Sequence, residues 1–421
     1  MTALAAQSAH ARRPVFVHIG EAKTGTTYLQ TLFDRNRDTM RADGLLYPEC
    51  GGSGHVLPTL DLRRTTFKST PNPNIPGSWK RLVGEIRAWD GPALISCELL
   101  APAARQPIKR LMTSLDFADV HIVLTVRDLA RQLPAAWQER VKNRGQDSFA
   151  EWLAAVHDPR GAPTSAGRLF WGLHDIEAIL AKWSVALPPE RVHVITVPPS
   201  GGDPSLLWKR FAQVLGLDPD HYTQPERSVN SSLGAAEVNI VRQVNIAIGG
   251  DDFPWPHYDR LMKWYLSPEL AKRRGIPLDL PVAEYDWAVA KSQQFAKAIA
   301  DAGYDVVGDL AELTPTSRPS GMDPDAVPAE MRAEVGVAGV AALINHLAEG
   351  AGGTHEVPVL RAQLAEAEGK LREHRDMPPS VRIRRCLIEL SEQVRWLGVA
   401  YRGYKRLRRR RAKGSGPHGA R

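Results

Sequence analysis

The chain has 421 residues, 43% hydrophobic and 24% charged, which suits one large α/β domain with an appendage, or two ordinary domains. That composition excludes collagen-like and disordered polypeptides. The net charge of +7 is unevenly placed: residues 377–421 hold 13 Lys and Arg against 2 Asp and Glu, leaving 41 against 45 in 1–376. The body is therefore mildly acidic, and a basic surface for duplex nucleic acid is disfavoured there.

Cys50, Cys97 and Cys386 are too few and too scattered for a disulfide framework or a zinc site, so a reducing, cytoplasmic compartment is expected. Residues 1–13 lack the basic start and apolar run of a signal peptide and read as a disordered N-terminus. No run of about 18 apolar residues is present, so no membrane span is expected.

In chain order, the apolar run 15–19 predicts a buried strand that enters Gly20-Glu-Ala-Lys-Thr-Gly-Thr-Thr27 and then a helix over 28–36. Residues 48–78, rich in Gly, Pro, Ser and Asn, predict a long surface loop. A helix at 78–89 and a strand at 93–96 follow, then a helix near 104–115. The run 121–126 predicts a further buried strand, with Arg127 directly after it and a helix through Lys142. A fourth strand is read at 192–197 and a helix at 206–215. Strands alternating with helices predict a three-layer α/β/α fold of the P-loop NTPase-like kind, with a central parallel sheet. The texture changes after Leu313. The domain is placed at 14–315, with a linker and short helix over 316–355. A helical, strongly basic tail then covers 356–421 as a C-terminal appendage.

The glycine loop carries the chemistry. A strand-to-helix turn with Gly20 and Gly25 can wrap backbone N–H groups around a phosphate, aided by the helix N-terminus. The ATP and GTP loops place lysine directly after the second glycine. Here Thr26 stands there, and Lys23 sits inside the loop instead. Arg127, rather than an aspartate able to hold magnesium, ends the strand 121–126. The loop thus suits an anionic nucleotide without the usual metal-assisted phosphoryl transfer, and no metal is expected.

These residues resemble the phosphosulfate-binding loop of the sulfotransferases that use 3′-phosphoadenosine 5′-phosphosulfate (PAPS), with Ala22 in place of the family's proline. The strand ending in Arg127 is similar to the family's 3′-phosphate strand, although Ala135 stands where a serine is usual. Residues 188–217 and 304–310 also look like bacterial members. The resemblance implies that Lys23, Thr24, Gly25, Thr26, Thr27 and Arg127 bind the donor, and that Tyr28 stacks on its adenine. Lys23 would also act in catalysis, on the bridging oxygen. For the acceptor's proton it leaves two bases open, Glu98 at the exit of strand 93–96 and His55 in the Gly-rich loop. Asn230-Ser-Ser232 would approach the nucleotide, and His174-Asp175 reads as packing.

The function expected is in-line sulfuryl transfer from PAPS to a hydroxyl or amine of a carbohydrate, glycolipid or small-molecule acceptor. The alternatives are a P-loop kinase or NTPase, or a non-catalytic nucleotide-binding protein on the same fold. Loops at 48–78 and 140–170, with parts of 220–280, would take the acceptor; Pro254, Trp255, His257, Tyr258 and Trp264 suit a sugar edge or an aromatic core corner equally. The basic amphipathic stretch 381–411 suits an anionic membrane surface, which would hold the enzyme peripherally at the inner membrane face.

Overall fold

The computed structural model describes residues 12–50, 54–66, 72–161, 165–185, 187–199, 201–203, 205–225, 232–249, 253–314 and 320–350, the side chains of 349 and 350 apart. The expectations for 1–11, for Asn230 and Ser231, and for the basic tail lie outside these residues.

Five strands form one all-parallel sheet in the order β2-β1-β3-β4-β5. They are β1 (Arg13–Gly20), β2 (Ala93–Ser96), β3 (Ala118–Val126), β4 (Val192–Thr196) and β5 (Asp305–Val307). Every residue of β2 and β4 is buried, as a parallel sheet covered on both faces requires. Phe16, Leu94, Val123 and Ile195 face one layer, where they pack with Leu32 and Phe33 of helix Thr26–Arg35 and with Phe211 of helix Leu206–Leu215. The alternate residues Val17, Ile95, Leu124 and Val194 are equally buried on the opposite face. On that side, helix Leu129–Lys142 packs with helix Val282–Asp301, and Ser292 Oγ accepts the Leu129 N–H at 2.9 Å.

Because β2 and β3 flank β1, the chain leaves β1 in both directions, which makes the carboxyl ends of β1 and β3 the topological switch point where sheets of this kind bind ligands. The register brings Gly20 opposite Leu124 after an irregularity between His18 and Gly20. The glycine loop is thereby set beside Arg127.

The helix expected at 206–215 and the strand at 93–96 fall where the sequence places them. The stretch 48–78 differs, because it contains the helix Val56–Arg63. Pro58 sits in its first turn, where a missing N–H is tolerated, and Leu60 and Leu62 are buried. Past the domain end expected at 315, Met322 bridges Leu278, and the Asp325 carboxylate accepts the Phe149 and Ala150 N–H groups at 3.1 and 2.9 Å. The compact unit runs over Met1–Gly339, and a second over Val340–Arg421, of which 340–350 are described. Among the described residues, no helix is long and apolar enough to cross a membrane.

Candidate functional site

Gly20 ends β1 at φ 121°, and Gly25 caps helix Thr26–Arg35 at φ 85°. Gly25 has a second reason to be glycine: a Cβ there would lie 2.5 Å from Leu207 Cδ2. Between the two glycines, Lys23 also takes a left-handed conformation, φ 66°, at the crown of the turn. The loop is tied down onto β3. Glu21 N–H donates to the Thr125 carbonyl at 2.9 Å, and the Thr125 hydroxyl donates to the Gly20 carbonyl at 2.9 Å. Thr24 hydroxyl donates to the Glu21 carbonyl at 2.6 Å and lies 2.6 Å from Thr125 Oγ1. Below them, His18 lies 2.8 Å from Ser96 Oγ and 3.3 Å from Thr125 Oγ1, linking three adjacent strands. Burial, opposed by a backbone bond to Gly20, lowers His18 to about 3 and keeps the ring neutral.

The three loop hydroxyls therefore differ. Thr24 is fully buried and spends its hydroxyl on closing the turn. Thr26 is also buried, and Thr27 is exposed. Tyr28 is partly buried, and its hydroxyl donates to Gln224 Oε1 at 3.1 Å. Burial and the nearby Asp203 raise its pKa.

Lys23 Nζ donates to Glu139 Oε2 at 2.5 Å, with both side chains about one third exposed (31% each). Glu139 also receives Lys263 at 3.2 Å and the Asn143 amide at 2.8 Å. Burial alone would raise the Glu139 carboxyl, but Lys23 and Lys263, with the Lys23 hydrogen bond, hold it down to about 2. Such a partly exposed pair contributes only about 1 kcal/mol, little enough for Lys23 to change partner.

Arg127 is fixed differently. Its Nε donates to Gln132 Oε1 at 2.9 Å and its Nη2 to the Arg131 carbonyl at 3.0 Å. Nη1 makes no hydrogen bond among the described residues. Burial and the neighbouring Arg131 lower Arg127 to about 10, so it stays charged at neutral pH. Gln132 Nε2 donates to the Ala22 carbonyl at 2.5 Å, joining the arginine's support to the loop itself. Glu21 lies behind the two, 1% exposed, with Oε2 3.0 Å from His174 Nδ1. Its Oε1 has no hydrogen-bond partner among the described residues, and burial raises its pKa well above the ordinary value against the pull of Arg127. His174 is buried against this carboxylate and Gln132 Nε2, 2.8 Å away, so it packs on the loop's own acid. Asp175 caps the next helix by accepting the Ala178 N–H at 3.0 Å.

Of the two candidate bases, Glu98 stands just past β2 against the end of β1, and its Oε2 accepts from Gln30 Nε2 at 3.0 Å. A Cβ on Gly20 would lie 3.4 Å from Glu98 Cα and Cβ. His55 is 1% exposed: its Nδ1 accepts the Ser96 N–H at 3.0 Å, and its Nε2 lies 3.0 Å from the Pro48 carbonyl. Burial lowers it to about 4. Both ring nitrogens are thus committed to backbone, and His55 holds β2 to the 48–55 segment with no lone pair to spare. Among the aromatic candidates, Tyr258 is fully buried and bonded to Asn245 Oδ1 at 2.7 Å, a core corner, whereas Trp264 is 69% exposed.

Sequence reasoning missed Glu21, Gln30 and Glu139. Gln30 carried a signal, as a polar residue on a helix face otherwise formed by Leu29, Leu32 and Phe33. Glu139 lies one helical turn beyond Ala135, on the same face. Glu21 gives no sign in the sequence of being buried. Among the described residues, no group of three or more His, Cys, Asp or Glu side chains could hold a metal ion.

No family model matches the chain, and no curated protein matches it. Among solved structures, it is similar to a sulfotransferase from Alicyclobacillus acidocaldarius at 16% identity and a TM-score of 0.36, over 60% of this chain and 96% of that one.

Proposed function

We propose that the protein is a sulfotransferase that uses PAPS and acts on a hydroxyl or amine of a carbohydrate, glycolipid or small-molecule acceptor. The observation that carries this reading is the pairing of the glycine loop with Arg127 at the β1/β3 switch. There a lysine at the crown of a glycine loop and an arginine at the next strand end stand where a nucleotide's two charged ends would lie.

On this reading, Arg127 anchors the 3′-phosphate through its remaining donors. The turn at Gly25-Thr26-Thr27, with the helix N-terminus behind it, takes the 5′-phosphosulfate, and Tyr28 lines the adenine. Glu98 is the base, since His55 has both nitrogens engaged. The acceptor oxygen gives its proton to Glu98 and bonds to sulfur as the bridging S–O bond breaks. The product is a sulfate ester, or a sulfamate where an amine nitrogen takes the oxygen's place, and 3′-phosphoadenosine 5′-phosphate (PAP) leaves with its new charge against Lys23. Lys23 must release Glu139 to serve there, and the low worth of that pair permits it. The basic tail would hold the enzyme at an anionic membrane surface.

Calorimetry of the full chain with PAP in the absence of metal tests the reading, and binding is expected. Failure to bind PAP, or binding of ATP only with magnesium, overturns it. Binding of PAP without a +80 Da product from any acceptor pool would leave a non-catalytic nucleotide-binding protein. Flotation with anionic liposomes, with and without 377–421, tests the tail; equal binding of both chains sinks its membrane role.

A further inference from the structure

Helix Leu129–Lys142 ends beside the glycine loop, and its last turn carries both Glu139 and Lys142. A π-helical segment, Asp259–Leu266, brings in Lys263, whose Nζ lies 3.2 Å from Glu139 Oε1 and 3.3 Å from Asn143 Oδ1. Turns of this kind are rare and gather at functional sites. Lys23 and Lys263 thus both pair with one carboxylate, and Lys142 stands three residues further along the same helix, within reach of the charges of all three. Lys142 makes no hydrogen bond or ion pair among the described residues.

This excess of two positive charges is held in a partly buried place. Burial and the charges of Lys23 and Lys263, against the pull of Glu139, bring Lys142 down to about 8. Crowded like charges raise one another's energy, and an anion entering among them relieves that cost. The donor's sulfuryl group, on the sulfotransferase reading proposed above, accounts for Lys23 alone. When Lys23 turns to the donor, Glu139 still balances Lys263, and Lys142 is left without a counter-charge.

We propose that Lys142 and Lys263 form a second anion subsite beside Lys23, which takes a carboxylate or sulfate borne by the acceptor, so that the acceptor is an acidic molecule such as a uronate-containing glycan. The inference rests on the sulfotransferase reading for the role of Lys23, but the subsite is tested separately from it.

The test is calorimetry of the full chain, with and without saturating PAP, using a glucuronate-containing hyaluronan tetrasaccharide and its carboxyl-reduced counterpart at low salt, where charge attraction is least screened. The parent protein is expected to bind the acidic form at least about tenfold more tightly. Lys142→Met, which keeps the stem and removes the charge, should abolish that preference while PAP affinity stays within about threefold. In the unaltered protein the preference should fade as the pH rises through about 8, where Lys142 gives up its proton. That series needs no variant to fold. Equal affinity for the two tetrasaccharides, or no binding of either, overturns the subsite. So does a Lys142→Met protein that loses PAP affinity in step, because the lysine would then serve the donor. Failure of PAP to bind while the acidic preference persists would overturn the sulfotransferase reading and leave the subsite standing.

Discussion

The two cations at the β1/β3 switch are held in opposite ways. Arg127 is fixed by hydrogen bonds from its planar fork to Gln132 and to the Arg131 carbonyl, and Gln132 is itself bonded to the loop. Lys23 stands at the end of a flexible stem on a carboxylate that Lys263 also approaches. The difference follows from the side chains, since a guanidinium presents donors in a fixed geometry and an ammonium is a movable point charge. A site that must bind one end of a ligand before its charge shifts at the other needs both kinds. On the proposed function, Arg127 is the anchor, and Lys23 is the group free to follow the developing charge.

The largest effect is expected where this division is attacked at its moving part. Lys23→Ala should lower turnover with PAPS by about 10²- to 10³-fold, the range for removing one donor to a developing oxyanion. PAP affinity should fall much less, because the 5′-phosphate of PAP is also held by the turn's backbone N–H groups and the helix N-terminus. Steady-state kinetics beside calorimetry reads both quantities, and turnover near that of the parent would remove Lys23 from the chemistry.

Arg127→Ala should act on binding instead. Losing a charged, hydrogen-bonded anchor is expected to weaken PAP by roughly 2–3 kcal/mol, or about 30- to 150-fold. Arg127→Lys should not restore it, because a point charge cannot reproduce the bonds to Gln132 and the Arg131 carbonyl. Equal PAP affinity in Arg127→Lys and the parent would show that the fixed geometry is irrelevant.

How much of this was legible in the sequence depends on the kind of signal. The parallel sheet was legible, since Val15, Val17, Ile122 and Leu124 lie in short apolar runs that only a doubly covered strand explains. Lys23 and Arg127 were legible because each adjoins such a run and the chain must turn there. The helix Val56–Arg63 was not, since eight residues between Gly-rich and Pro-rich neighbours carry little periodicity of their own, and tertiary packing of Leu60 and Leu62 settles it. His55 is a harder case. A histidine in a polar stretch looks available for chemistry, and only the approach of β2's backbone and the Pro48 carbonyl shows that its nitrogens are taken. Glu139 was hidden for a similar reason, because nothing local couples it to a lysine over a hundred residues earlier.

Glu139→Gln sharpens the comparison from the side of the counter-charge. The substitution keeps the shape and removes the charge that competes with the donor for Lys23. A partly exposed pair of this kind is worth about 1 kcal/mol, so PAPS is expected to bind about fivefold more tightly. Weaker PAPS binding in this variant would mean that Glu139 positions Lys23 for the donor instead of competing for it.

The smallest effect concerns the support behind Arg127. Burial lowers His18 and His174 to about 3 and His55 to about 4, so below pH 6.5 the unfolded chain takes up protons that the folded one refuses. Stability should therefore fall as the pH drops from about 6.5 toward 4. Glu21 runs the other way. Burial raises its pKa against the pull of Arg127, so the folded chain holds this proton to a higher pH than the unfolded one. Its contribution is full below about 4.5 and declines as the pH rises. Glu21→Gln fixes the neutral form with nearly the same shape, which removes that decline. The urea midpoint of the variant should match the parent at pH 4 and exceed it at pH 8. Parallel curves would mean that Glu21 is ionised in the folded chain, paired with Arg127, and that the anchor is held by charge as well as by the geometry of its fork.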